Sequence, residues 1–310
     1  MDFSDDDKAV LALTTRLGGR DRPSLGPVAW SKLSQLLSDH GLSPSVLLSV
    51  RPPFLTEKQS DTIDQLTDRV GTVLREAEEL YLRGVWVTPI SSKSYPVILQ
   101  SRLRTQAPPV LFGVGERSML ERGGIGVVGS RDVSPNGAAL ATALAGEAVK
   151  SGLQVVSGGA RGVDQLAMNA TYEAGGAVVG VLAGSLFERT RSPQVLAALD
   201  EGNTCLVTQQ HPSTGFSPAA AMARNKLIYA IADLTVVVAS DMDTGGTWSG
   251  ATEALSARYG RVAVYRGDGE GPGNRELEKR GASPLSDVNG LSSVLEAQDF
   301  EPPTQLRLVD

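Results

Sequence analysis

The residues of this chain best suited to chemistry lie in loops that directly follow short apolar runs. GSRDVSPNG places Gly129, Ser130 and Arg131 in a row, then Asn136 and Gly137 at the opening of a helix. SGGARGVD, at 157–164, holds Ser157, Gly158, Gly159, Arg161 and Asp164. A short AGS follows at 183–185, and SDMDTGGTWSGATE at 240–253 contains Gly245, Gly246, Thr247 and Gly250. An ARNK segment adds Arg224, Asn225 and Lys226. Glycine lets backbone N–H groups come close to an anion, and helix N-termini add a favourable dipole. The arginine fork matches phosphate oxygens, whereas lysine acts as a point charge. Four such loops converging on one edge imply a phosphate-bearing ligand. No loop has the G-x-G-x-x-G dinucleotide spacing or the P-loop lysine motif, so neither NAD nor ATP is indicated.

The elements that must position these loops alternate in type. After VWVTPI and PPVLFGVG come apolar runs at 125–129, 153–157, 177–182, 204–208, 234–239 and 261–265. Segments of helical spacing separate them, such as GAALATALAGEAVKSG and AMARNKLIYAIAD. Alternating strand and helix predicts an α/β, doubly wound, mostly parallel sheet of extended Rossmann-like type. Runs that are apolar throughout fit strands buried on both faces. In such sheets ligands bind beyond the carboxyl ends of the strands, where strand order reverses. Residues 1–80 instead carry apolar residues three and four apart, broken by Gly and Pro, and predict a small helical N-terminal domain. The expected division is 1–80 helical, 81–290 Rossmann-type, and 291–310 a C-terminal tail.

Composition narrows the function further. Cys205 is the one cysteine and His40 and His211 the two histidines, which excludes a disulfide framework and argues against a zinc site. No metal and no cofactor are expected. The start, MDFSDDDKAV, is acidic where a signal peptide is basic, and no apolar run reaches the roughly 20 residues that span a bilayer. A cytoplasmic protein with no membrane contact is expected. The net charge of −6 argues against a uniformly basic surface, but affinity for phosphate depends on a local patch. The acids at Asp5, Asp6, Asp7, Glu76, Glu78 and Glu79 read as solvated faces lying outside the proposed site.

Several residues carry two readings. Asp164 fits a helix cap or loop-holding acceptor better than a catalytic acid. Glu253 fits a first-turn helix residue better than a nucleophile or base. Trp248 is either a base-stacking platform or a packed core residue. Met168 and Cys205 read as core, His211 has no visible partner, and the alternative for Arg131 and Arg224 is an ion pair with a neighbouring acid.

From about Tyr81 to about Asp287 the chain resembles the DprA/Smf family of DNA-processing proteins. The resemblance rests on SYPVILQSRLRTQAPPVLFGVG, GVVGSRDVSPNG, SGGARGVDQLAM, ARNKLIYAIADLTVVVAS, GGTWSGATEALSARYGRVAVY and GPGNRELEKRGASPLSD, all in the family's order. It implies a homodimer that binds single-stranded DNA without catalysing a reaction, and a RecA-type recombinase as partner in transformation, recombination or defence. By matching position, Arg131 and Arg224 would contact backbone phosphate. Ser130, Gly158, Gly159, Gly246 and Gly250 would line the pocket, with Lys226 in place of a family arginine. Met168 stands where the family has histidine, AAAMARN replaces a Phe-Pro-Arg-Arg-Asn run, and no winged-helix segment is seen after about Asp287. Part of the same region is also similar to LOG-type phosphoribohydrolases, which cleave the base from a nucleoside monophosphate. In that reading Arg224 holds phosphate or ribose and Glu253 is the catalytic carboxylate. The disrupted glycine motif, GGTWSGATE, favours DNA binding over an N-glycosidic hydrolase.

Overall fold

A computed structural model describes residues 2–19 and 23–297. The chain divides into two compact units, one of residues 1–96, 104–114 and 209–212, the other of 97–103, 115–208 and 213 onward.

The first unit holds α1 (Asp5–Thr14), α2 (Pro27–Asp39), α3 (Glu57–Thr67), α4 (Val70–Leu82), β1 (Trp86–Pro89) and β2 (Val110–Gly115). The strands pair antiparallel, with Val87 opposite Phe112. Helix α1 is its centre, fully buried from Ala9 to Leu13. Capping boxes start α1 (Ser4 with Asp7) and α3 (Thr56 with Gln59), satisfying backbone amides that helices leave open. Buried Arg69 does the converse, donating to the carbonyls of Ala12, Thr15 and Leu17 at the far end of α1. Two acids expected as solvated are structural. Asp7 is buried and accepts from the Ser91 hydroxyl at 2.6 Å, and Glu76 accepts from the Gly18 amide. Glu76 also meets His211 Nε2 at 2.9 Å, a partner 135 residues away that local sequence does not reveal.

The second unit begins with α5 (Val97–Leu103) and continues through β3 (Ile125–Val128), α6 (Pro135–Lys150), β4 (Val155–Ser157), α7 (Val163–Glu173), β5 (Val178–Val181), α8 (Leu186–Arg189), α9 (Pro193–Asp200), β6 (Thr204–Thr208), α10 (Pro218–Ile231), β7 (Leu234–Val237), α11 (Gly245–Ala257), β8 (Arg261–Tyr265), α12 (Asn274–Lys279), β9 (Ser283–Leu285) and α13 (Leu291–Glu296). Its strands stand in the order β6-β5-β4-β3-β7-β8-β9, every neighbouring pair parallel. The fold is therefore the expected α/β, doubly wound, mostly parallel type. Ile125, Val127, Val155, Leu234 and Val236 share one apolar cluster with Leu144 of α6 and Ala167 of α7. From β3 the chain steps outward through β4, β5 and β6, then returns to place β7 on the other side of β3. Strand order reverses between β3 and β7, which is where a ligand crevice is expected.

The strand β9 has no counterpart in the sequence reading, because SPL is three residues long with Ser283 and Pro284 exposed. The stretch expected as a tail from residue 291 opens with α13, whose Leu291 is buried in the same apolar cluster. Residues 298–310 of that stretch lie outside the described residues. Among the described residues no helix is long and apolar enough to cross a membrane.

Candidate nucleic-acid interface

At the reversal between β3 and β7 lies a cavity of about 460 Å³. The loop after β3 contributes Gly129, Ser130, Arg131 and Asp132. Helix α10 contributes Met222, Arg224 and Asn225, and the loop after β7 with the start of α11 contributes Asp241, Thr244, Gly245, Gly246 and Thr247. The β3 and β7 loops are joined directly, Ser130 N–H donating to Ala239 O at 2.8 Å. Gly162, at φ +85°, brings α7 against the same loop; a Cβ there would stand 2.3 Å from Ser130 O.

Arg224 is the centre of the site. Only 4% exposed, it projects from α10 over the loop after β4. Gly158 makes the room, since a Cβ on it would fall 1.4 Å from Arg224 Nη1. Its partner is the equally buried Asp164, Nη1 to Oδ2 at 3.6 Å, an ion-pair distance just past hydrogen-bonding range. Among the described residues, Arg224 Nε and Nη1 have no hydrogen-bond partner. Buried charge without its full set of bonds is costly, and an anion in the cavity would supply the missing acceptors.

Asp164 is held by the loops themselves. Burial pushes its carboxyl above the ordinary range, while Arg224 and the backbone amides of Ala160, Gly129 and Gly158 pull it back. It is a loop-holding acceptor, the bland one of its two readings. Burial likewise pulls Arg224 down, Asp164 opposes this, and the charge of Arg131 pushes the same way as burial. An anion between the two arginines would relieve that repulsion. Arg131 is exposed and, among the described residues, in no ion pair; its guanidinium lies over the Phe216 ring, 5.4 Å from the centroid.

The remaining predicted residues divide by position. Asn225 Nδ2 donates to Gly246 O at 3.0 Å, tying α10 to α11, and Gly250 packs against Asn225 and Tyr229. Ser157 is buried and donates to Val127 O, so it braces the sheet instead of facing the cavity. Gly159 accepts from Arg189 Nη2 at 2.5 Å. Arg161 is exposed and paired with Asp132 at 2.7 Å; with Arg131 it lines an adjoining open groove. Lys226 is half-buried on α10 and does not line the cavity. Glu253 is exposed, accepts from Tyr259 Oη at 3.0 Å, and is not on the cavity wall either. Trp248 is buried, with Arg280 over its ring, and Met168 and Cys205 are core.

The expected convergence of four loops is corrected at one of them. The AGS loop at 183–185 does not reach the cavity. It braces the segment before α10, Ser185 N–H donating to Thr214 O at 2.6 Å. Wall residues that the sequence reading did not single out include Asp132, Tyr229, Asp241 and Thr244; the loop positions of Asp132, Asp241 and Thr244 were legible, but not their orientation.

Fold and site together define a Rossmann-like α/β protein with a cavity walled by Arg131 and Arg224 at its switch point. Residues 86–296 match the family model of DNA recombination-mediator protein A, and the chain belongs to that family. It is 30% identical over 244 residues to the DNA processing protein DprA of Bacillus subtilis (strain 168), covering 77% of this chain and 79% of that protein. The X-ray structure of DprA from Streptococcus pneumoniae superposes with a TM-score of 0.70 at 20% identity, covering 97% of this chain and 99% of that one. DprA from Helicobacter pylori, solved in work on its single-stranded DNA binding mode, gives a TM-score of 0.55 at 21% identity, covering 67% and 95%.

Proposed function

We propose that this protein binds single-stranded DNA without sequence preference, through backbone phosphates received at the cavity between β3 and β7. One observation carries the reading: the buried Arg224 guanidinium, seated over Gly158, has donors without partners among the described residues, at a cavity that Arg131 also walls. Membership of a DNA-processing family and the single-stranded DNA bound by the Helicobacter pylori relative support it. The protein would act in the cytoplasm as a homodimer, in DNA uptake, recombination or defence, and present the strand to a RecA-type recombinase. Recombinase filament assembly on a covered single strand, with and without the protein, reads that last step. The hydrolase reading finds no support, since the carboxylates at the cavity are Asp132, Asp164 and Asp241, not Glu253.

The test is fluorescence anisotropy of a labelled oligo-dT strand. Contacts to phosphate position a strand without reading it, so Arg131→Ala and Arg224→Ala should each weaken binding about tenfold or more for any sequence. Lys226→Ala should weaken it less. Each neutralised phosphate contributes about 0.7 to the salt slope on a single strand, and the few cations here give an expected total on the order of two to four. If both arginine variants bind oligo-dT as tightly as wild type at low salt, the assignment is wrong. Nucleoside monophosphates serve as the control, with no free base released.

A further inference from the structure

We propose that Phe216 is a stacking platform for nucleobases at the mouth of the cavity, so that the strand's bases lie on the rim while its phosphates face the arginines. The inference rests on the single-stranded DNA reading and adds to it the site that receives the bases.

Phe216 stands one residue before Ser217, whose side chain caps α10 by accepting from Ala220 N–H. An apolar residue in that position commonly packs onto the fourth residue of the helix. Here that residue is Ala221, which offers little surface, and Phe216 remains 56% exposed. Its placement is nonetheless built: the preceding Thr214 carbonyl is held by Ser185 N–H, and Gly184 lies so close that a Cβ on it would meet the carbonyls of Thr214 and Gly215. The Arg131 guanidinium covers one side of the ring at 5.4 Å, leaving the remainder to solvent. An aromatic face held beside a cation of the site is the pairing that single-stranded nucleic acid uses, one group for the base and the other for the phosphate. Met222, on the cavity wall and 52% exposed, adds an apolar surface to the same opening. A ligand that is only an anion leaves this rim unused; a polynucleotide uses both.

The test compares oligo-dT with an abasic strand carrying the same number of phosphates, by anisotropy at low salt. Wild type should hold oligo-dT about tenfold tighter than the abasic strand. Phe216→Ala should abolish that ratio and leave the abasic affinity within about twofold, whereas Phe216→Trp should preserve the ratio. Equal affinity of wild type for the two strands overturns the platform and leaves the phosphate site standing. So does a Phe216→Ala variant that keeps the ratio or weakens both strands equally. Failure of wild type to bind either strand overturns the phosphate reading itself.

Discussion

Arg224 and Gly158 form a pair whose roles separate by substitution. Replacing Gly158 with alanine puts a Cβ 1.4 Å from Arg224 Nη1, and the guanidinium, the mobile end of a long side chain, must yield. Gly158→Ala should therefore bind oligo-dT about as weakly as Arg224→Ala and melt below wild type, since the displaced guanidinium leaves Asp164 buried without its cation. A calorimetric scan beside the binding isotherm checks both halves. Asp164 offers a second test. Burial raises its folded pKa above the unfolded value, so the native state keeps the proton longer. Its contribution is greatest below the unfolded value of about 3.9 and is lost as pH rises through that value toward the folded one. Urea unfolding across pH should show wild-type stability falling relative to Asp164→Asn through that window, by at most about 1.4 kcal/mol per pH unit for one proton. A parallel pH dependence in the two proteins would reject this account.

At the scale of elements, the cavity depends on where β7 and β8 end. Asn274, fully buried at the start of α12, accepts from Ser240 N–H at 3.0 Å and donates to Val238 O at 3.0 Å and Tyr265 O at 2.8 Å. One amide thus fixes both strand ends and the root of the loop that carries Asp241 to Thr247. Asn274→Ala leaves three backbone groups short of a partner, each costing about 1–3 kcal/mol when buried. Chemical denaturation should report a loss of about 3 kcal/mol or more, and strand binding should weaken although Asn274 is not on the cavity wall. Unchanged stability would mean that the loop is held by other contacts.

At the scale of the whole molecule, a net charge of −6 coexists with arginines gathered at one opening, so attraction for a polyanion is local and readily screened by salt. The edge strand β9 is short, and Pro284 in it lacks a backbone donor, which blunts sheet extension. The proposed homodimer would therefore cover this domain through side-chain packing more than through strand pairing. Light scattering at micromolar concentration should return twice the chain mass; a monomer mass would rule it out.

The runs at 125–129, 204–208 and 261–265 were legible as strands, and 137–152 as a helix, because each is set by backbone sterics and a local apolar period. The glycine-rich loops were legible for the same reason, and with them the anion chemistry. What the sequence left open was decided by contacts between residues far apart in the chain. Asp164 and Arg224 are sixty residues apart, and only the stacking of α10 over the β4 loop makes them a buried pair. Arg161 and Arg131 look alike in sequence, yet one is paired with Asp132 and the other lies over Phe216. Strand order, burial and side-chain direction arise from long-range packing, which no local period encodes, and these decide which cations face the cavity.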